Sequence, residues 1–260
     1  MNALKDLRTL TSACLLAVGG LCASNADASV VIAGTRVVYP AQQQEVTIKL
    51  TNDGQTPALT QVWLDRGDPD AAPSTIDVPF TVTPPVARID PGKGQAVRII
   101  YTGEAMAQDK ESVFWFNLLE VPPKPGADAA GTNLLQMAFR TRIKLFFRPA
   151  SLKAADAATA PAQIRWSPVK DAGRDALQAH NPTPYFVSFA SIDVSAGGRT
   201  ARFTDGGMVA PGETRAFALQ GDVPTTSMAK VNYHAINDYG GPIDGEAALS
   251  GQGASKGLAP

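Results

Sequence analysis

Apolar and polar residues alternate along much of the chain, and the longest alternating run covers residues 133–148. In this run, NLLQMAFRTRIKLFFR, most apolar residues share one parity and the cationic residues share the other. Because side chains point to alternate faces of a strand, the run predicts one long β-strand with an apolar and a cationic face. A strand of about 15 residues would outlast its sheet, since strands usually have about 5–6 residues. It is either a core strand of a sandwich or a strand offered to another protein.

Short alternating runs, separated by Gly, Pro, Asn and Asp turns, fill the rest of the first half. Together with the long run they predict seven strands within about 120 residues, a spacing typical of an immunoglobulin-like sandwich. One run, at residues 80–88, is interrupted by Pro84 and Pro85. Proline inside a strand pattern indicates an edge, a bulge or a cis bond at a strand switch.

The second half reads as a separate β-rich region. Residues 151–162, SLKAADAATAPA, are small, polar and without periodicity, and they predict a linker between two domains. We therefore expect one domain at residues 29–150 and another at residues 163–249. The polar residues 250–260 are expected to form a flexible tail. The predicted fold class is all-β.

The N-terminus has the features of a secretory signal peptide at residues 1–28. Lys5 and Arg8 precede an apolar stretch, and Ala26 and Ala28 form an A-x-A cleavage site. We therefore expect an exported, mature chain that begins at Ser29. No later run approaches the about 18 apolar residues that a membrane-spanning helix needs, so we expect no membrane insertion.

Composition narrows the classes of function. Both cysteines, Cys14 and Cys22, lie in the predicted signal peptide, so core burial rather than disulfides must stabilise the mature chain. The chain has 23 basic and 24 acidic residues, and removing residues 1–28 takes two of each, which leaves 21 and 22. This near-neutral charge argues against nucleic acid and anionic membrane surfaces as partners.

Residues that could support catalysis or bind a metal are few and scattered. The two histidines, His180 and His234, are far apart in sequence, and the sequence has no Cys–His cluster and no G-x-S-x-G motif. Asp65, Asp68 and Asp70 predict a solvated acidic loop, with weak calcium binding as the second interpretation. We therefore predict a protein that is not an enzyme, with no cofactor and no metal site.

Three stretches of the sequence carry a family resemblance. They are residues 106–123, MAQDKESVFWFNLLEVPP, residues 143–149, IKLFFRP, and residues 236–242, INDYGGP. Together they resemble the periplasmic pilus-assembly chaperones of the chaperone–usher pathway, over essentially the whole mature chain. The resemblance implies two immunoglobulin-like domains at an angle around a cleft. It also implies that the chain binds fimbrial subunits that lack their last strand, and delivers them to an outer-membrane usher.

The resemblance assigns the alternating run to a donor strand, which the chaperone lends to the subunit. Leu135, Met137 and Phe139 match the apolar residues that enter the subunit groove, and Ile143 would extend the row. Such strand addition takes affinity from backbone pairing and specificity from alternate side chains. An exposed apolar strand would also favour self-association of the free chain.

Two cations complete the site that the resemblance implies. Arg36 and Lys144 match the cleft residues that anchor the C-terminal carboxylate of the subunit. Independently of the family, both lie among apolar neighbours in predicted strands, where an unpaired charge is unfavourable, so each requires an anion. The sequence leaves open whether that anion belongs to a ligand or to this chain.

Three further charged residues match an interdomain ion network of the family, namely Glu111, Arg148 and Asp238. Such a network sets the orientation of two domains, so we expect a structural role for these residues. Arg140 and Arg142 lie on the cationic face of the long strand, and we expect both to be solvated.

Two other functions compete with the chaperone hypothesis. An exported two-domain sandwich could serve as a binding or adhesion module, but it would need exposed aromatic residues on loops. Phe114, Trp115 and Phe116 instead lie inside a predicted strand. An exported hydrolase would need a nucleophile and a base, and no such set is evident in the sequence.

Overall fold

The chain folds into two β-sandwich domains, each with its own hydrophobic core. The computed structural model describes residues 29–124, 136–171, 173–221, 224 and 229–249. The predicted signal peptide, the predicted tail and the donor residue Leu135 lie outside these ranges. The predicted all-β fold class is confirmed, since strands dominate the described residues and the longest helix has six residues.

The first domain contains nine strands among its described residues. They are β1 Val30–Ile32, β2 Arg36–Pro40, β3 Glu45–Asn52, β4 Ala58–Asp65, β5 Phe80–Thr83, β6 Val86–Ile89, β7 Gly94–Tyr101, β8 Ser112–Val121 and β9 Phe139–Arg148. One sheet has the order β1-β3-β7-β5, and the other has the order β2-β9-β8-β4-β6. All neighbouring strands are antiparallel except β2 and β9, which run parallel.

Two strand switches explain why the first domain has more strands than the sequence predicts. The predicted run at residues 30–38 divides into β1 and β2, which belong to different sheets, and Gly34 lies between them with a φ of 117°. The run at residues 80–88 divides into β5 and β6, again in different sheets. The Thr83–Pro84 bond between β5 and β6 is cis, so the prediction of a cis bond at a strand switch is confirmed.

Aromatic rings fill the core of the first domain between its two sheets. Tyr39 from β2, Phe114 from β8 and Phe147 from β9 are fully buried around Phe80. The centroids of the Phe80 and Phe114 rings are 4.9 Å apart in an edge-to-face arrangement. Burying each large apolar side chain stabilises the fold by roughly 1.5–3 kcal/mol, which serves a cysteine-free mature chain.

The alternating run at residues 133–148 forms a shorter strand than predicted. β9 begins only at Phe139, and residues 136–138 are extended chain outside any strand. The reason is the end of its neighbour: Glu120 of β8 pairs with Phe139, and β8 ends one residue later, before Pro122 and Pro123. A strand continues only where a neighbour accepts its backbone hydrogen bonds, so the sheet stops there.

The second domain contains eight strands among its described residues. They are β10 Arg165–Asp171, β11 Arg174–His180, β12 Val187–Ala196, β13 Arg199–Phe203, β14 Gly207–Val209, β15 Thr214–Ala218, β16 Lys230–Ile236 and β17 Pro242–Ala248. One sheet has the order β10-β11-β15, and the other has the order β13-β12-β16-β17 with β14 beside β12. Trp166, Phe189 and Tyr233 pack together in the core between them.

The segment between the domains is folded rather than extended. Residues Ala154–Thr159 form the helix α1, and Ala160–Gln163 continue as a 3₁₀ turn. Alanine has the highest helix propensity of all residues, so this composition favours a helix once its ends are held. The hydroxyl of Tyr185 donates to the carbonyl of Lys153 at 2.9 Å, which fixes the start of α1 on the second domain. No helix in the described ranges is long and apolar enough to cross a membrane.

Candidate functional site

Strand β9 is paired on both sides along only half of its length. β8 pairs with it from Phe139 to Phe147, whereas β2 pairs with it only from Lys144 to Arg148. Among the described residues, no strand pairs with residues 139–143 on the β2 side. This open edge of β9 presents backbone N–H and C=O groups to which another strand can bind.

The predicted donor residues divide at the start of β9. Met137 precedes the strand and is 45% exposed, and Phe139, its first residue, is half-buried. Ile143 is only 8% exposed and packs in the core of its own domain with Leu145. Its side chain is therefore occupied within the first domain, and we withdraw Ile143 from the row that a partner can contact.

Arg36 and Lys144 lie side by side where the two domains meet. They are partners in the register of β2 and β9, and both side chains reach toward the second domain. The Nη1 of Arg36 donates to the carbonyl of Ile236 at 3.0 Å, and the Nζ of Lys144 lies 3.5 Å from the Oγ of Ser188. The structure thus places the two predicted cations next to each other at the boundary between the domains.

Neither cation has a carboxylate partner within 4.0 Å among the described residues. Aromatic rings lie near them instead: the guanidinium of Arg36 is 5.6 Å from the centroid of Phe146, and the Nζ of Lys144 is 5.6 Å from that of Trp115. The buried Nε of Arg36 has no hydrogen-bond partner among the described residues. This surface therefore favours an anionic ligand that could accept from both side chains.

Burial shifts the pKa values of the two cations downward. Burial, followed by the charges of Arg36 and Arg215, lowers the pKa of Lys144 to about 8. Burial also lowers the pKa of Arg36, although Asp238 and Glu111 oppose this shift. A bound carboxylate would reverse the effect on Lys144, because an opposite charge favours the protonated form.

Glu111, Arg148 and Asp238 are brought together across the domain boundary. The Nε of Arg148 donates to the Oε1 of Glu111 at 2.7 Å, and its Nη1 and Nη2 donate to the two carboxylate oxygens of Asp238 at 2.7 and 2.9 Å. The other oxygen of Glu111 accepts from the backbone N–H of Phe186 at 2.9 Å. The network therefore joins β9 of the first domain to two loops of the second.

The sequence interpretation is wrong for Arg142, which is largely buried, whereas Arg140 is exposed as expected. Arg142 donates to both oxygens of Asp65 at 2.7 and 2.9 Å, and Asp65 is 1% exposed. Asn117 donates to the same carboxylate at 2.8 Å and accepts from the Nε and Nη2 of Arg140 at 3.0 and 2.7 Å. These four residues, which we call the Asp65 cluster, tie β9 to β8 and β4.

Two tryptophan rings lie beneath the arginines of the Asp65 cluster. The guanidinium of Arg140 is 4.9 Å from the centroid of a Trp63 ring, and that of Arg142 is 4.7 Å from a Trp115 ring. A sequence signal for the cluster does exist. The pairs Trp63 and Asp65 in β4, Trp115 and Asn117 in β8, and Arg140 and Arg142 in β9 each share one parity. Recognising it requires knowledge of the strand order and register.

The remaining candidate residues have ordinary surroundings. His180 contacts Thr214, and His234 contacts Asp244, all on exposed surface. Within the described ranges, no group of three or more His, Cys, Asp or Glu side chains is arranged to hold a metal ion. The prediction of a solvated acidic loop is wrong for Asp65, which ends β4 and is buried against Arg142. In the loop that follows, Asp68 accepts from the backbone N–H of Asp70.

A cavity of about 410 Å³ lies beside the ion network, at the junction of the domains. Its wall combines the charged groups of Arg36, Arg148 and Asp238 with the alanines of α1. Tyr239, which is almost fully exposed, stands at its rim. The cavity thus adjoins Arg36, one of the two cations.

A second exposed apolar surface lies far from the cation pair in the register of the sheet. Leu59 of β4 and Val121 of β8 are exposed and directly opposite each other, and Val86 of β6 is exposed on the neighbouring strand. We call these three residues the outer apolar patch. Exposed apolar residues on neighbouring strands are a candidate surface for protein–protein contact.

The family of the chain follows from two matches that together span nearly all of the described residues. The model for the N-terminal domain of PapD, a pili and flagellar-assembly chaperone, matches residues 29–153, and the model for the C-terminal domain of the pili assembly chaperone PapD matches residues 159–247. The chain belongs to the PapD family of pilus-assembly chaperones. The resemblance drawn from three sequence motifs is thereby confirmed.

Relatives and solved structures agree with this family. The chain is 47% identical to the probable fimbrial chaperone YadV of Escherichia coli K12, over 87% of this chain and 92% of that protein. A crystal structure of the YadV chaperone superposes with a TM-score of 0.73 at 44% identity, covering 85% of this chain and all of that one. The SafB chaperone of Salmonella enterica, solved in complex with the SafA pilin, gives a TM-score of 0.68 at 26% identity, over 87% and 99% of the two chains.

Proposed function

We propose that this chaperone binds pilus subunits by donor-strand complementation, through the open edge of β9. The observation that carries the proposal is the end of that edge. The unpaired stretch, residues 139–143, stops where β2 begins, and the two cations without a carboxylate partner, Arg36 and Lys144, stand at this point. An incoming strand would find backbone partners along the edge and a positive charge at its end.

The geometry favours an incoming strand that runs parallel to β9. Such a strand would occupy the line that β2 continues, because β2 is itself parallel to β9. Its C-terminal end would then meet Arg36 and Lys144, and its α-carboxylate would accept from both side chains. An antiparallel strand would bring an ammonium group or an internal segment to the same cations, which is unfavourable.

The apolar residues before and at the start of β9 would fill the groove of an incomplete subunit. Met137 and Phe139 are available for this role, and Leu135 would continue the row at the same spacing. Each large apolar side chain buried in the groove contributes roughly 1.5–3 kcal/mol before ordering is counted. A pilin is an appropriate client class because the related SafB chaperone was solved in complex with the SafA pilin.

A co-purification experiment tests the carboxylate anchor. The tagged chaperone is expressed with the pilus subunit encoded beside its gene, and the soluble one-to-one complex is quantified. Arg36→Ala and Lys144→Ala should each reduce recovery at least about tenfold, because a charge-assisted contact to the carboxylate is lost. Lys49→Ala, an exposed lysine on β3, is the matched control. Undiminished recovery with both anchor variants would exclude this role for the cations.

The donor strand has an independent test. Met137→Asp places a charge in the subunit groove and should abolish capture while leaving the chaperone folded, because Met137 is exposed in the free chain. The matched control is Val31→Asp, which adds the same charge at a similarly exposed apolar residue of β1. Capture that survives Met137→Asp, with the control unaffected, would show that this segment is not the donor.

We further propose that the mature chain acts in the periplasm, without catalysis, and that it delivers subunits to an outer-membrane usher. The signal peptide predicted at residues 1–28 would direct export and would then be cleaved. Delivery requires a surface that stays free while a subunit is bound, and the outer apolar patch lies away from the open edge. Val86→Asp should weaken binding to the usher and leave capture of the subunit intact. Loss of capture, or unchanged binding to the usher, would exclude this division of surfaces.

A further inference from the structure

The start of the first domain is held by one buried carboxylate. Glu120, near the end of β8, is 7% exposed. Its Oε2 accepts from the backbone N–H of Val30 at 3.0 Å, and its Oε1 accepts from the backbone nitrogen of Ser29 at 3.2 Å and from the hydroxyl of Ser29. One side chain thus receives three donors from two consecutive residues.

No basic side chain among the described residues lies within 4.0 Å of the Glu120 carboxylate. This distinguishes it from the other buried acids, Asp65 and Glu111, each of which pairs with an arginine. A buried carboxylate that meets only neutral donors is poorly compensated, because charge-assisted hydrogen bonds are roughly twice as strong as neutral ones.

The backbone around Ser29 fixes its position relative to Glu120. Val30 pairs with Asn52 in the β1–β3 register, and the carbonyl of Ser29 accepts from the backbone N–H of Asp53 at 2.8 Å. The carbonyl of Ser29 and the following residue Val30 are thus both held by β3 and the turn after it. This holds the nitrogen of Ser29 at the carboxylate of Glu120.

We propose that Glu120 is the binding site for the new α-ammonium group that signal-peptide cleavage creates at Ser29. This inference rests on the proposed removal of residues 1–28. Hydrolysis of the Ala28–Ser29 peptide bond by a signal peptidase consumes one water molecule, leaving a carboxylate on Ala28 and an ammonium group on Ser29. The neutral amide that faced Glu120 becomes a cation, so processing supplies the missing partner of the buried acid and stabilises the mature domain.

The test compares two start points of the full two-domain chain, in the native sequence and in the Glu120→Gln variant. One protein begins at Ser29, and the other retains Ala28, which moves the ammonium group one residue away. In the native sequence, retention of Ala28 should lower the thermal midpoint by about 2–4 °C. In Glu120→Gln the two start points should melt within about 1 °C of each other. Glu45→Gln, an exposed acid on β3, should preserve the full difference.

The difference between the two start points should also depend on pH in the native sequence. An α-amino group has an ordinary pKa of about 7.7–8.0, and a carboxylate beside it raises this value in the folded state. The stabilisation is therefore fully present below about pH 7.7 and is lost as the pH rises through the raised folded value. The strand neighbours of these residues, Thr60, Phe139 and Asn52, do not titrate, and the acidic residue that contacts Ser29, through its backbone N–H, is Asp53.

Two results would overturn the proposal. The first is an equal loss on retaining Ala28 in the native and Glu120→Gln proteins, which would assign the effect to packing of the extra residue. The second is a difference that stays constant from pH 6 to pH 10, and this arm remains informative if Glu120→Gln fails to fold. Both readouts are independent of subunit capture, so failure of the proposed chaperone function would leave them unchanged.

Discussion

Arg148 and Lys144 lie four residues apart on the same face of β9, yet their electrostatic surroundings differ. Arg148 meets two carboxylates at 2.7 Å, while Lys144 meets none within 4.0 Å among the described residues. Burial alone would lower both pKa values, but Asp238 and Glu111 outweigh it and raise the pKa of Arg148. The pKa of Lys144 falls to about 8. One cation is paired within the chain, and the other has no carboxylate partner among the described residues.

The difference shows how a single strand can hold the two domains together and still offer a binding site. The satisfied half of β9 has strands on both sides and a closed ion network. The other half has an open edge and exposed apolar residues before it. In the proposed mode of binding, stability and recognition depend on adjacent segments of β9, and each can be perturbed separately.

The largest expected effect comes from breaking the closed network. Arg148→Ala leaves Glu111 buried without its partner, and removal of one member of a buried pair typically destabilises a protein by about 3–5 kcal/mol. Urea unfolding should show this loss of free energy of unfolding. Arg88→Ala is the control, since Arg88 and Asp90 form an exposed pair that contributes at most about 1 kcal/mol. Equal losses in the two variants would mean that the buried network stabilises the chain no more than an exposed ion pair does.

The Asp65 cluster should give the next largest loss. Asp65→Asn removes the charge that Arg142 and Asn117 contact, and hydrogen bonds to charged groups contribute about 1.5–3 kcal/mol. Hydrogen exchange should rise most at the amides of residues 139–143, because the cluster ties this half of β9 to β8 and β4. The exposed Asp90→Asn variant serves as the control. Uniform exchange across the first domain would mean that the cluster does not act locally.

The open cation pair predicts a pH dependence of subunit capture. The bound carboxylate favours protonated Lys144, so affinity should be constant at neutral pH and should fall above about pH 8, by at most tenfold per pH unit. Binding near pH 8 should take up protons, which calorimetry in two buffers detects. Lys144→Arg stays charged throughout this range, so its pH profile should be flat. A decline of the same size in this variant would assign the effect to another group.

The smallest effect concerns the stability of the free chaperone. Lys144→Met removes a partly buried cation that has no anionic partner in the part of the chain that the structure describes, so the free energy of unfolding should be unchanged or raised by up to about 1 kcal/mol. In the native chain, the folded state releases the Lys144 proton near pH 8 and the unfolded state near its ordinary pKa of 10.5. Stability should therefore rise with pH between these values. The variant should lack this rise, and a clear loss of stability at pH 7 would show that Lys144 is already compensated.

Alternation alone was sufficient to predict the β-class of the fold and most strands, because the period of two reports directly on a half-buried sheet. The family motifs then pointed to Glu111, Arg148 and Asp238, which the fold brings together. Alternation could not locate the end of β9, since that depends on where β8 stops. It also placed Ile143 in the donor row, because residues before and inside the core share one parity.

The Asp65 cluster shows that the burial of charged residues also could not be predicted from alternation. Asp65, Asn117 and Arg142 are distant in sequence, and only the order β9-β8-β4 makes them neighbours. Arg142 looked like a surface residue because its strand neighbours were unknown. The burial of a charge is decided by its partners, and partners across strands are a property of the register.

The start of β2 at Arg36 has a consequence for which proteins can bind. A strand that lies along β9 cannot extend past residue 143, because β2 already occupies the next positions. Within the proposed mode of binding, the chaperone therefore distinguishes the end of a polypeptide from its interior. A protein that exposes an apolar segment in mid-chain would clash with β2 and would not bind. A subunit with extra residues at its C-terminus would bind more weakly for the same reason. In this mode of binding, the start of β2 therefore selects a strand by the position of its C-terminus.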